Sequence, residues 1–162
     1  MIVAGTGDAG YIQSLEQLCR ELHLERNVHF VGHVAADDKS YLLGRADWFL
    51  LPSYQENFGV AVLEAVQARC AVAISDQVYI AEFFRPESEI LPLDEAAWVK
   101  FMRERMVDGD WRREVSTKDY DEIARTMNEE AVLDGWRQAL LASFTPRSET
   151  LGGRPSIARL HT

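Results

Sequence analysis

Residues 48–65, which read WFLLPSYQENFGVAVLEA, predict a buried strand, a polar loop and an apolar helix in succession. The run Trp48–Leu51 is continuously apolar and stops at a proline, as in a strand of a parallel sheet that is covered on both faces. The loop over residues 53–57 is polar, and the helix predicted over residues 58–68 carries one charged residue, Glu64. The stretch is therefore typical of one strand–loop–helix unit of an α/β fold.

Further apolar runs alternate with helical patterns on both sides of this unit, which indicates more βα units. The other predicted strands are Ile2–Ala4, Val28–Val31, Ala71–Ile74 and Ile90–Leu93. The other predicted helices have apolar positions at helical spacing from Tyr11 to Leu22 and from Tyr41 to Ala46, the second capped by Asp37. The predicted fold class is α/β, with a Rossmann-like parallel sheet flanked by helices.

The pattern becomes helical and heavily charged beyond Asp94. Apolar spacing predicts one helix around Trp98–Met106 and a second over Tyr120–Leu141. The last stretch, Ser143–Thr162, contains Pro and Gly without periodicity and is predicted to be a flexible tail. We therefore expect one domain over residues 1–142, followed by the tail.

The composition is that of a globular protein, because 47% of the 162 residues are hydrophobic and 27% are charged. A formal net charge of −9 argues against nucleic acid as a partner, since such binding depends on neutralising phosphates. The sequence contains neither an apolar run long enough to span a membrane nor a signal-peptide pattern, so we expect a cytoplasmic protein. Cys19 and Cys70 lack metal-ligand spacing, and we expect both to be reduced, buried thiols.

A glycine-rich turn, Gly5-x-Gly7-x-x-Gly10, follows the first predicted strand and opens the first predicted helix. This is the context of a dinucleotide-binding fingerprint. However, the second strand does not end in the acid that would bind the ribose of NAD, and the charge of Asp8 would repel a pyrophosphate. Two interpretations stay open: a tight strand-to-helix turn without a cofactor, which we favour, and an NAD-binding oxidoreductase domain.

Two carboxylates flank the start of the apolar helix. Glu64 lies within it and needs a partner, because an unpaired buried carboxylate is costly. Glu56 lies in the preceding loop, at the carboxyl end of a strand, where open α/β sheets bind ligands. Gly59 exposes first-turn amides, which bind anions. The alternatives are an internal salt bridge from Glu64 to Arg45 or Arg85, and a solvated or helix-capping role for Glu56.

The pattern Glu56-x7-Glu64, in the form ENFGVAVLEA, resembles the signature of retaining glycosyltransferases of the GT-B fold, family 4 (glycosyl transferases group 1). The blocks VAGTGDAGYIQSLEQLCRELHL, NVHFVGHV and KSYLLGRADWFLLPS resemble successive parts of the donor-binding domain of that family, so residues 1–93 are covered closely. The resemblance implies one half of a GT-B fold that binds a nucleotide-diphosphate sugar. The implied reaction transfers the glycosyl group to an acceptor with retention of configuration and uses no metal or other cofactor.

The resemblance also implies roles for individual residues. Glu64 would hold the two ribose hydroxyls, which suits the two acceptor oxygens of a carboxylate. Glu56 would be the catalytic residue beside the donor sugar, supporting positive charge at the anomeric carbon. The remaining donor-binding positions are Asn57, Phe58, Gly59 and Val60 at the sugar and diphosphate, His33 and Val34 at the nucleobase, and Gly5 and Gly7 in the glycine turn.

The sequence departs from the family in two respects. The acceptor half and the first part of the donor half, with its Arg and Lys for the diphosphate, have no counterpart in these residues. We therefore expect a partner, either the acceptor domain or another chain, and self-association through an exposed sheet edge. A non-catalytic fragment or partner subunit that retains the fold is the alternative function. In addition, residues 69–71 replace a segment that carries Gly and Pro in the family.

Overall fold

The computed structural model describes residues 1–56, 58–84, 88–128 and 130. Strands and helices alternate along it in the order predicted. The strands are β1 (Ile2–Ala4), β2 (His29–Gly32), β3 (Trp48–Leu51), β4 (Ala71–Ser75) and β5 (Glu89–Leu91). The helices are α1 (Ala9–Glu21), α2 (Ala36–Leu43), α3 (Val60–Gln67), α4 (Glu95–Glu104) and α5 (Gly109–Thr126), with a short 3-10 helix over Tyr79–Phe83. Among the described helices, none combines the length and the apolar character that crossing a bilayer requires.

The strands pair in parallel, which confirms the α/β, Rossmann-like class with flanking helices. They form two sheets: β1 pairs with β2, and β3, β4 and β5 form a three-stranded sheet in that order. Since β1 has a single neighbour within the described chain, one of its edges keeps unpaired backbone N–H and C=O groups.

The core lies on the three-stranded sheet. All five residues of the central strand β4 are buried. On one side, Trp48 and Phe101 meet edge to face with ring centroids 5.0 Å apart, and the Trp48 indole N–H donates to the Met106 carbonyl at 3.1 Å. Val115 of α5 is buried in the same cluster. The helices after β5 therefore complete the core of the sheet that carries the Glu56 loop.

The β1–α1–β2 unit is much less buried. All three residues of β1 are exposed, including Ile2 at 51%, and α1 contributes no buried side chain in the described structure. Leu18 of α1 and Leu22, the C-cap residue that follows it, are also exposed. The unit therefore keeps several large apolar side chains at the surface.

The starts of α5 and α2 both differ from the sequence prediction. Helix α5 begins at Gly109 rather than Tyr120, because the Asp108 carboxylate accepts the N–H groups of Asp110 and Trp111 at 3.0 Å each. Helix α2 begins at Ala36 with Ala35 as its N-cap, so the prediction that Asp37 caps it is wrong. Asp37 lies in the first turn instead, where its charge is favourable to the helix dipole.

The structure describes only part of the end of the chain. Contacts separate the chain into two compact units, residues 1–124 and 125–162. Most of the second unit lies outside the described residues. Three predictions also fall outside the described residues: the end of the helix predicted over Tyr120–Leu141, the domain limit at residue 142 and the tail over residues 143–162. They stay predictions.

The two cysteines are both free, but they differ in burial. Cys70 is buried, and burial raises the pKa of its thiol to about 11, with the nearby Asp47 charge acting in the same direction. Cys19 is half-buried. The prediction of buried thiols is therefore confirmed for Cys70 and wrong for Cys19, which lies on the poorly covered helix α1.

Arg69 marks the place where the sequence departs from the family pattern of Gly and Pro. Its backbone has a φ of 59°, in the left-handed region that favours glycine. Its guanidinium carbon lies 3.3 Å from the centroid of the Tyr120 ring, a cation–π contact that links the α3–β4 turn to α5. The contact accounts for an arginine at this strained position.

Candidate nucleotide-sugar site

Glu64 is held by Lys39, on the neighbouring helix α2. Its Oε1 accepts from the Lys39 ammonium at 2.6 Å, with one third of each side chain or slightly more exposed. The salt-bridge alternative therefore holds with a different partner: it is not Arg45, whose guanidinium lies 5.4 Å from the Tyr41 ring centroid. Arg85 lies outside the described residues.

The second oxygen of Glu64 distinguishes this pair from an ordinary surface salt bridge. Oε2 is buried and has no hydrogen-bond partner among the described residues. The ion pair itself is partly exposed and is worth only about 0–1 kcal/mol. A buried acceptor without a donor costs about 1–3 kcal/mol, so a ligand hydroxyl that reached Oε2 would remove that cost. Lys39 thus fixes one oxygen of Glu64, and the other is a buried acceptor with no donor among the described residues.

The loop before α3 is anchored to the segment that follows β4. Glu56 forms an isolated parallel bridge with Val78, while its side chain is exposed. Gly59 is the N-cap of α3 in a left-handed conformation, with a φ of 73° and no side-chain cap. The Val62 N–H donates to the Gly59 carbonyl at 2.8 Å, and because glycine has no side chain to cap the helix, the amides of Val60 and Ala61 are the ones that could face an anion. The predicted helix start at Phe58 is thus moved to Val60 by the glycine.

The other predicted positions around α3 are at the surface. The side chains of Phe58 and Val60 are 41% and 60% exposed, so both lie at the surface, where the loop meets α3, and not in the core. Asn57 lies outside the described residues. The loop therefore presents backbone amides and an aromatic ring beside the exposed carboxylate of Glu56.

The glycine turn and the loop after β2 lie side by side. Gly5 donates its N–H to the Gly32 carbonyl at 2.8 Å, and both glycines have positive φ. A side chain at Gly7 would meet open space. His33 is exposed and Val34 is half-buried just before α2 begins. The structure thus brings two of the predicted donor-binding loops together, and α2 connects them to Glu64 through Lys39.

Asp8 has a structural role that the sequence interpretation missed. It is the N-cap of α1, and its carboxylate accepts the Tyr11 N–H at 2.8 Å. A helix N-terminus capped by its own carboxylate has fewer free amides for a pyrophosphate. This geometry favours the tight strand-to-helix turn over a dinucleotide fingerprint. The signal was present, because Asp is a preferred N-cap residue.

Lys39 was also missed, for a physical reason. It precedes Glu64 by 25 positions, and nothing in its local spacing indicates a partner on another helix.

Elsewhere, the described residues contain no group of three His, Cys, Asp or Glu side chains that could hold one metal ion. A surface depression between α1 and the start of β2, lined by Cys19, Arg20 and His29, includes none of the predicted site residues.

Comparison with known proteins identifies the family of this chain. Residues 1–103, more than half of the chain, match the family described as "Glycosyl transferases group 1". An uncharacterized glycosyltransferase, MJ1607 of Methanocaldococcus jannaschii, is 34% identical over 87 residues, which are 54% of this chain and 22% of the relative. The chain thus spans about a fifth of that protein.

Solved structures show the same fold. Sucrose-phosphate synthase from Thermosynechococcus elongatus superposes with a TM-score of 0.68 at 24% identity, covering 89% of this chain and 39% of that chain. HepE of Anabaena, solved with UDP and glucose, superposes with a TM-score of 0.70 at 19% identity, covering 88% of this chain and 40% of that chain. The superpositions show that the chain shares the fold of these GT-B-type structures, and the family match shows that it belongs to the glycosyl transferases group 1 family.

Proposed function

We propose that this chain binds the nucleotide-diphosphate sugar donor of a retaining glycosyltransferase of family 4. The observation that carries the proposal is the buried, unpartnered Oε2 of Glu64, on a carboxylate whose other oxygen is fixed by Lys39. Two acceptor oxygens on one rigid carboxylate suit the adjacent hydroxyls of a ribose. The solved HepE structure with UDP and glucose supports the same class of ligand.

For the other predicted residues we propose the roles that the family resemblance implies. The uncapped amides at the start of α3 and the dipole of that helix would face the diphosphate, with Asn57, Phe58, Gly59 and Val60 forming the turn. The loop with His33 and Val34 would meet the nucleobase. Gly5 and Gly7 would let the adjacent turn approach the donor closely.

The proposed reaction needs little covalent chemistry from the protein. The bond from the anomeric carbon to the diphosphate oxygen breaks, and the oxygen of an acceptor hydroxyl bonds to the same face of that carbon. The hydroxyl proton passes to the departing diphosphate, and configuration is retained. Negative charge on the leaving diphosphate is stabilised by the amides of α3, and positive charge at the anomeric carbon by the Glu56 carboxylate. Holding the donor and the acceptor in a reactive orientation supplies much of the remaining rate enhancement. We propose that no metal or other cofactor takes part.

The role of Glu64 is tested by removing its carboxylate. Glu64→Ala should weaken the binding of UDP, GDP or ADP, whichever the protein prefers, by about 1.5–3 kcal/mol, the usual range for hydrogen bonds to a charged group. Isothermal titration calorimetry measures this. Glu114→Ala is the matched control, because Glu114 also accepts from a lysine, Lys118, at 2.6 Å but lies on α5. Unchanged nucleotide affinity together with a lower melting temperature for Glu64→Ala would show a purely structural ion pair.

A second protein surface is needed to cover the exposed β1–α1–β2 unit. We propose that an acceptor domain or a partner chain covers it and that the isolated chain self-associates through β1; a non-catalytic partner subunit is the alternative function. An unpaired apolar edge strand is a template for such pairing.

The two free cysteines are consistent with a reducing compartment, and we propose the cytoplasm.

Self-association is tested at Ile2, which is 51% exposed on the edge strand. Ile2→Lys should weaken it by roughly tenfold or more, because a charge on an edge strand opposes pairing. Sedimentation equilibrium of the purified chain gives the dissociation constant. Val107→Lys makes the same change at a residue that is 76% exposed between α4 and α5, and it should have no effect. A monomeric wild-type chain, or equal effects of both substitutions, would contradict the proposal.

A further inference from the structure

The open side of the Glu64 carboxylate is occupied by Lys39. The side chains of Lys39 and Glu64 are 39% and 33% exposed, yet Oε2 of Glu64 is buried. In this structure the carboxylate is therefore open to a ligand on the side of its other oxygen, Oε1, and the Lys39 ammonium lies 2.6 Å from that oxygen. A ligand hydroxyl that approaches Glu64 from this side meets the ammonium as well as the carboxylate.

Lys39 reaches Glu64 from a separate helix. Its backbone N–H donates to the Ala35 carbonyl at 2.8 Å, so the residue lies in the first complete turn of α2. That helix directly follows the loop with His33 and Val34, the positions proposed for the nucleobase. In a nucleotide the ribose is bonded directly to the base. Lys39 thus lies between the loop proposed for the base and the carboxylate proposed for the ribose.

The Lys39 ammonium keeps donors that a ligand can use. An ammonium carries three N–H donors, and the contact with Glu64 uses one of them. The described residues contribute no further acceptor to it. Asp37 and Asp38 precede Lys39 by two and one positions, a spacing at which helical side chains do not face each other. The remaining N–H groups are therefore free of the described protein.

An ammonium next to a carboxylate can bind a hydroxyl group in both of its capacities. A hydroxyl has one O–H donor and two acceptor lone pairs. It can donate to Glu64 and accept from Lys39 at the same time, whereas a C–H group in its place can do neither. The pair therefore favours a ligand that carries a hydroxyl at this point over the same ligand without it.

We propose that Lys39 is a specificity-determining residue of the nucleotide site, donating to a ribose hydroxyl that in turn donates to Glu64. The proposal rests on the function proposed above, and it adds a second contact to the sugar that Glu64 binds. Lys39 then helps the site to distinguish a ribonucleotide from a deoxyribonucleotide. Its charge also offsets that of Glu64 near the diphosphate, a separate effect that the experiment below distinguishes from the ribose contact.

Isothermal titration calorimetry with UDP, GDP and ADP identifies the nucleotide that binds most tightly, and its 2′-deoxy and 3′-deoxy forms are then compared with it. Wild-type protein should prefer the ribonucleotide over at least one deoxy form. Lys39→Met should reduce this preference by about threefold to tenfold, the low end for a hydrogen bond to a charged group, because the pair is partly exposed. Both ligands are measured on the same variant, so any loss of folded protein cancels from their ratio.

Three further variants serve as controls for Lys39→Met. Lys39→Arg keeps a cationic donor and should keep most of the preference for the ribonucleotide. Lys118→Met removes the other lysine that lies 2.6 Å from a glutamate, Glu114, at similar exposure on α5, and it should leave the preference unchanged. Arg85→Met removes the cation that the sequence suggested for Glu64, and it should also leave the preference unchanged.

The possible outcomes separate this inference from the proposed function. If the nucleotide binds and its affinity depends on Glu64, but Lys39→Met keeps the preference, the inference is overturned and the proposed function stands. Equal weakening of the ribonucleotide and both deoxy forms would show that Lys39 acts by its charge alone, which also overturns the ribose contact. A preference that is lost in Arg85→Met and kept in Lys39→Met would assign the contact to Arg85. A chain that binds no nucleotide would refute the proposed function and the ribose contact together.

Discussion

Gly59→Val is expected to lower the free energy of unfolding by about 3 kcal/mol or more, from backbone strain and overpacking together. The backbone of Gly59 has a φ of 73°, which β-branched residues essentially never adopt. A Cβ at this position would lie 3.1 Å from a methyl carbon of Ile80 and 3.2 Å from one of Val78. Both neighbours are buried and cannot move aside cheaply. Urea unfolding followed by circular dichroism measures the change.

Gly44→Ala is the control for this substitution. Gly44 ends α2 with an ordinary φ of −67°, and an added Cβ would make only normal contact with the Ser40 carbonyl oxygen at 3.4 Å. We expect it to keep or slightly raise stability, by about 0.4–1 kcal/mol, since alanine restricts the unfolded chain. If Gly59→Val were as stable as Gly44→Ala, the left-handed start of α3 would be wrong.

Asp119→Asn is expected to raise the free energy of unfolding at pH 8 by about 3 kcal/mol. Asp119 is 2% exposed, and its Oδ2 has no partner among the described residues, while Oδ1 accepts from the Ser88 hydroxyl at 2.6 Å. Burial raises the pKa of this carboxyl from 3.8 to about 6, and the nearby Glu89 charge adds to the effect. The hydrogen bond from Ser88 acts in the opposite direction.

The direction in which stability changes with pH follows from proton binding by Asp119. Between pH 3.8 and about 6, the folded state holds the Asp119 proton more tightly than the unfolded state does, so stability falls as the pH rises. The loss continues through the folded-state pKa of about 6 and levels off about one unit above it. Asparagine stays neutral like the protonated acid, although its amide carries two N–H donors where the acid has one O–H, which offsets part of the gain. The variant should therefore be more stable than wild type at pH 8 and not below pH 4.

Urea unfolding at a series of pH values between 4 and 8 measures this difference. Asp110→Asn makes the same chemical change on α5, at a side chain that is 90% exposed, and its effect should be small and vary little with pH. A pH-independent difference between Asp119→Asn and wild type would show that the Asp119 carboxyl titrates normally.

The strands were predictable because each apolar run is short and bounded by turn residues. The apolar run of β3 matched the structure residue for residue, and β4 extended one residue beyond its prediction, because both are covered on two faces and show it in composition. The start of α5 was not predictable from apolar spacing, since its first turn is polar and is set by the Asp108 cap. The 3-10 helix with Tyr79 was missed as well, because a single short turn has no periodicity.

The candidate site was predictable where its chemistry is local in sequence. Glu56, Gly59 and Glu64 lie within nine positions, so one loop and one helix bring them to the same region. Lys39 could not be found this way, since it reaches this region from α2. Its contribution depends on how separate elements pack, which spacing along one chain does not report.

The division of the strands between two sheets gives the molecule two levels of local stability. Backbone amides of β4, buried in the three-stranded sheet, exchange with solvent deuterium only when that whole sheet opens. The amides of β1 and β2 need only the separation of two exposed strands, so they exchange through a smaller fluctuation. Any molecule that covers β1 therefore protects those amides selectively. The deuterium-exchange rate of the β1 and β2 amides therefore reports the fraction of the protein in which β1 is covered.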